Sequence, residues 1–214
     1  REMCREYPGI CHAMIGLHPT EVDDNYRSVL ERIYAILKKN REFIAVGEVG
    51  LDFYWDDTRK REQTDALMQQ IEGASETGLP LAIHSRSAFD ELYSVMESYR
   101  SKGLSGVFHC FSGSEEQARK LLTFDGFCLG IGGVVTYRKS VLPAVLASVP
   151  LERIVLETDS PYLSPEPHRG KLNIPGRTRF VAEKPAALRG ITLEEVAEAT
   201  TANARRFFRL PALG

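Results

Sequence analysis

Five residues of this chain stand where short apolar runs stop, and all five are of types that bind cations or move protons. His18 closes the run in "ICHAMIGLHP", Glu48 the one in "FIAVGEV", His84 the one in "LPLAIH" and His109 the one in "SGVFHC". Asp159 closes "RIVLETD", two residues after Glu157. Alternation along a strand puts Glu157 and Asp159 on one face. Imidazoles and carboxylates that converge at one edge suit a divalent cation. Such a centre, left open to water and substrate, makes a nucleophile available near neutral pH. A lone histidine at the end of an apolar strand is more often a hydrogen-bonded core residue. Several at one edge would each need a separate buried partner, which favours the metal reading.

The elements that must position these residues repeat one pattern: apolar strand, polar or glycine-rich turn, amphipathic helix. Strands are expected at 10–17, 43–49, 79–84, 105–110, 126–131 and 153–159. Their nearly continuous apolar character fits a parallel sheet covered on both faces. Tyr26, Val29, Leu30, Ile33 and Leu37 follow helical spacing, as do Phe89, Leu92, Tyr93 and Met96. Ser114 with Gln117, and Thr192 with Glu195, have the spacing of capping boxes. Gly78 before Pro80 marks a helix end, and about two further helices fall within 178–208. In parallel α/β folds the active site lies at the carboxyl ends of the strands, where these residues stand. A (β/α)8 barrel needs eight strands, and six βα units are visible here. The pattern alone leaves an open doubly wound sheet as an alternative.

The 214 residues are 43% hydrophobic and 26% charged, with a formal charge of −2. That composition is globular, and any nucleic-acid-binding charge must be local. No apolar run approaches the roughly 18 residues of a membrane-spanning helix, so no membrane partner is expected. Cys4, Cys11, Cys110 and Cys128 are scattered without a CxxC pair, which points to a reduced cytoplasmic protein without structural zinc.

"AMIGLHPTEV", "VGEVGLDFYWD", "LPLAIHSR", "FHCFSGS" and "LETDSPYLSPEPHRGKLN", in this order, resemble the TatD family of metal-dependent deoxyribonucleases. The likeness runs from about residue 10 to the C-terminus, through "EVAEATTANARRFF". The resemblance implies an α/β fold of the TIM (β/α)8 type and a centre of divalent ions, Mg²⁺, Mn²⁺ or Zn²⁺, two in the complete family site. It implies hydrolysis of DNA phosphodiester bonds. Carried over by position, Glu48 is the acid that bridges or ligates metal, and His84 and His109 are imidazole ligands of one metal. Asp159 ligates the other and accepts a proton from the attacking water. His18 reads as a substrate or phosphate contact at the rim.

Arg86 and the loop of His168 and Arg169 are placed to hold phosphate through cationic side chains. Glu157 is expected to support the site by orienting a ligand. Phe53, Tyr54 and Trp55 offer rings to an unpaired base or, alternatively, pack on a neighbouring loop. A DNA substrate that is single-stranded or entered at an end fits a recessed mouth. Family members begin with a strand carrying His-x-His, which occurs nowhere in these 214 residues. Residues 1–214 are therefore expected to form one N-terminally incomplete barrel domain. At 174 an isoleucine replaces the family's more usual acid. Two other readings compete: a metal hydrolase of another ester or amide, such as an aminoacyl-tRNA ester, or an inactive barrel serving as a binding protein.

Overall fold

A computed structural model describes residues 1–39, 42–55 and 57–210. The expected domain span of 1–214 thus includes a few positions outside the described residues. Six strands form one sheet in the order β1-β2-β3-β4-β5-β6. They are β1 (Ala13–Ile15), β2 (Phe43–Asp52), β3 (Leu81–Arg86), β4 (Gly106–Phe108), β5 (Phe127–Ile131) and β6 (Ile154–Leu156). β1 with β2, β2 with β3, and β5 with β6 pair in parallel. Helices alternate with them: α1 (Glu2–Glu6), α2 (Tyr26–Lys39), α3 (Lys60–Thr77), α4 (Phe89–Ser98), α5 (Glu115–Leu121), α6 (Leu142–Ser148), α7 (Thr178–Arg189) and α8 (Leu193–Phe207). No helix among the described residues is long and apolar enough to cross a membrane.

The local rules hold at the helix ends. α3 stops at Gly78, whose φ of 67° only glycine adopts without strain. Ser114 and Gln117 cap α5 reciprocally. Thr192 and Glu195 do the same for α8, at 2.7 and 3.1 Å.

The strand ends differ from expectation. β1 is short, and His18 lies beyond it as the cap of a one-turn 3₁₀ helix, Pro19–Glu21. β2 and β3 run on to Asp52 and Arg86, because those residues still pair with each other across the sheet. β4 ends at Phe108, before His109, and Cys110 has a left-handed φ of 46°. β6 ends at Leu156, and Asp159 has a φ of 53°. Glu157 and Asp159 therefore do not share a strand face as expected, since neither lies in regular strand.

The chain divides into two compact units, Arg1–Gly106 with Phe208–Leu210, and Val107–Phe207. In the first, Leu51, Leu67, Ile71, Leu81, Ile83, Leu92 and Met96 are fully buried. In the second, Phe127, Leu129, Ile131, Leu142 and Leu146 fill the same role.

Candidate metal and catalytic site

The first unit carries a cluster built around His84. Its Nδ1 lies 3.0 Å from Glu48 Oε1, and its Nε2 lies 2.9 Å from Asp52 Oδ2. His18 joins from the loop after β1: its Nε2 is 3.6 Å from Glu48 Oε1, and its ring meets that of His84 edge-on at 4.7 Å. Ligand atoms of His18, Glu48 and His84 all lie within 4.8 Å of one another, which suits a cation. A second observation supports the fit. A neutral imidazole has one N–H, so it can donate to only one of the two carboxylates. The other contact sets a ring lone pair against carboxylate lone pairs. A cation held between the ring and a carboxylate would resolve it.

Asp52 is the residue that the sequence reading missed. It is 1% exposed, and its other oxygen, Oδ1, accepts from the backbone N–H of Tyr54 at 3.0 Å and Trp55 at 3.2 Å. Gln63 of α3 holds its backbone, accepting from Asp52 N at 2.9 Å and donating to Asp52 O at 3.1 Å. One face of α3 repeats the device seven residues on. Gln70 accepts from Leu17 N at 2.7 Å and donates to Leu17 O at 3.2 Å, fixing the chain just before His18. Both glutamines are buried in an otherwise apolar stripe. Two polar residues at i and i+7 within such a stripe were the sequence signal for them.

In the second unit His109 lies between the two acids of the loop after β6. Its Nδ1 is 2.8 Å from Glu157 Oε2, and its Nε2 is 3.4 Å from Asp159 Oδ1. Glu157 Oε1 also accepts from Cys110 N at 2.5 Å. Glu157 fits against β5 only because Gly130 is glycine, since a Cβ there would overlap its carboxylate. With Glu157 accepting from Nδ1–H, the neutral ring keeps its Nε2 lone pair on the side of Asp159. His109, Cys110 and Glu157 also bring ligand atoms within 4.8 Å of one another. The sequence reading left Cys110 among the ordinary thiols. Asn173 secures the loop that carries Asp159, donating to Thr158 O at 2.7 Å and Tyr162 O at 2.8 Å.

The other expected contacts are placed as follows. Arg86 lays its guanidinium over the ring of Tyr54 at 3.9 Å. His168 meets the ring of Phe180 edge-on at 5.0 Å. Arg169 lies over Tyr137 at 4.4 Å.

A sheet of parallel strands alternating with helices, with one cluster of imidazole and carboxylate ligands in each unit toward the carboxyl ends of its strands, has the architecture of a hydrolase of the TIM-barrel-like α/β class. Comparison with known proteins agrees. The family model described as TatD related DNase matches residues 1–209. An uncharacterized metal-dependent hydrolase, YabD of Bacillus subtilis, is 39% identical over 98% of this chain and 81% of its own length. A 3'-5' ssDNA/RNA exonuclease TatD of Erwinia billingiae is 34% identical over 96% of this chain and 80% of its own. The crystal structure of YJJV, a TatD homologue from Escherichia coli K12, superposes with a TM-score of 0.90 at 31% identity. That match covers 98% of this chain and 81% of the other. The chain belongs to the TatD family, and it is a metal-dependent hydrolase of that family.

Proposed function

We propose that the protein hydrolyses phosphodiester bonds in DNA, acting on single strands or at ends, and that residues 1–214 belong to one catalytic domain. The observation that carries this reading is the pair of clusters in which His84 and His109 each stand between two carboxylates. The relative from Erwinia billingiae, described as a single-strand exonuclease, supports the substrate class.

In this reading Glu48, His84, His109 and Asp159 hold divalent cations, for which imidazole nitrogen and carboxylate oxygen suit Mg²⁺, Mn²⁺ or Zn²⁺. Such a cation supplies Lewis acidity, neutralising charge on the attacked phosphate and activating water. Glu48 orients water in this reading, and Asp159 accepts a proton from water at a carboxylate oxygen. Glu157 takes no proton; it fixes the ring of His109 through Nδ1. His18, tied at Nδ1 to Thr20 Oγ1 at 2.7 Å, contacts substrate through Nε2, which lies on the side of Glu48. Arg86, His168 and Arg169 bind phosphate groups. The scattered cysteines, which lack a CxxC pair, support a cytoplasmic location.

The test is a labelled single-stranded oligonucleotide incubated with protein and each metal in turn. Shortening is expected with at least one of Mg²⁺, Mn²⁺ and Zn²⁺, its loss on chelation, and its return on readdition. Intact oligonucleotide under every metal, alongside cleavage of a carboxylic ester or amide, would replace this reading by another hydrolase of the same family.

Glu157→Gln gives a second check. Glutamine keeps the shape but offers one acceptor where Glu157 supplies two, to His109 Nδ1 and to Cys110 N–H. Removing such an orienting group typically lowers metal affinity or activity about 10- to 100-fold. A metal titration and kcat/KM measured on the folded variant should show that loss. Values equal to wild type would remove Glu157 from its supporting role.

A further inference from the structure

Three side chains beside the His84 cluster take no part in the core. Tyr54 and Trp55 stand in the turn after β2 and are 57% and 68% exposed. Their rings meet edge to face with centroids 5.0 Å apart. Arg86, the last residue of β3, faces both, with Cζ 3.9 Å from the Tyr54 centroid and 5.2 Å from that of Trp55. Among the described residues no hydrogen bond or ion pair engages its guanidinium. The group therefore joins exposed π faces to a guanidinium whose N–H donors no described residue engages.

That combination selects a particular chemistry. A planar, apolar ring would stack on the indole, while an anion attached a few ångströms away would meet the guanidinium. An unpaired nucleotide offers both, as base and phosphate. A duplex hides its base faces in its own stack, so it can use only the phosphate half. The turn is also held in place. Asp52 binds the N–H groups of Tyr54 and Trp55 with one oxygen and His84 Nε2 with the other. A base seated on the turn is thereby registered against the His84 cluster through one buried carboxylate.

We infer that Trp55, with Tyr54 and Arg86, is the contact by which the protein selects unpaired strands. A base stacks on the indole, and its phosphate lies against Arg86. This rests on the phosphodiesterase reading above and adds to it the residues that exclude duplex.

Trp55 is the sole tryptophan of the chain, so tryptophan fluorescence, excited selectively over tyrosine, reports on this platform alone. The probe is an oligothymidylate with phosphorothioate linkages, which resists cleavage, compared with the same strand in a duplex. The single strand should quench the fluorescence, and the duplex should leave it nearly unchanged. By anisotropy of a labelled strand, Trp55→Ala should bind about tenfold more weakly, within the range measured for loss of one base–aromatic stack. Trp55→Phe, which keeps an aromatic face, should retain most of the affinity. An unmodified strand is assayed for cleavage in parallel. Cleavage with unaltered fluorescence and equal affinity of Trp55→Ala would overturn the platform while leaving the nuclease reading intact. Neither binding nor cleavage of any nucleic acid would overturn both.

Discussion

Replacing Asp159 by asparagine is expected to lower kcat about 10²- to 10⁴-fold, the usual contribution of a positioned proton acceptor. The substitution is a clean one for a structural reason. Asp159 has a φ of 53°, a conformation that among non-glycine residues asparagine and aspartate tolerate best. Its backbone C=O accepts from Tyr162 N at 2.8 Å, and Asn173 ties the same loop from below. Asparagine can keep that backbone while presenting an amide where the carboxylate stood. The amide cannot take a proton from water, and it no longer offers a charge beside His109 Nε2. Stability of the variant, followed by thermal unfolding, should stay near wild type while single-turnover cleavage slows. A variant with wild-type kcat would move the proton acceptor to another residue, with Glu48 the next to test.

The second large effect is on the scaffold. Gly50→Ala should destabilise the protein by about 3–5 kcal/mol, combining strained backbone of roughly 1–3 kcal/mol with overpacking of similar size. Gly50 has a φ of 147° and lies directly across from His84 in the β2–β3 pairing. A Cβ at that point would overlap the carbonyl oxygen of His84. Relief requires the two strands to move apart. Gly50 also sits midway in sequence between Glu48 and Asp52, the two acids that flank the His84 ring. Any separation of the strands therefore loosens both carboxylate contacts at once. Urea unfolding should show the drop in midpoint, and metal affinity should fall with it in whatever protein remains folded. Unchanged stability would mean that β2 can shift locally without disturbing β3.

What could be read in the sequence follows from which forces act locally. Strand and helix placement was legible because apolar periodicity and caps such as Gly78 and Ser114 are written in neighbouring residues. The strand-end histidines were visible for the same reason: a polar residue at the close of a buried run stands out. Register was not legible. Asp52 reaches His84 only because β2 and β3 extend together to Asp52 and Arg86, and that depends on pairing between residues about thirty positions apart. The left-handed backbone at Cys110 and Asp159 was equally hidden, since neither residue is glycine. It explains why Glu157 and Asp159 contact opposite nitrogens of one ring instead of projecting from one strand face. The roles of Gln63 and Gln70 were obscured because a helical stripe shows where polar residues are buried but not which backbone they meet.

Asp52 grips the following turn by main-chain N–H groups alone. Nothing in that grip depends on which side chains stand at positions 54 and 55. The ring of His84 and the surface offered to substrate are thus mechanically joined yet chemically independent. Tyrosine and tryptophan could be exchanged for other side chains without disturbing the hydrogen bonds that Asp52 makes to the turn and to His84. That makes this turn an accessible place for redesign.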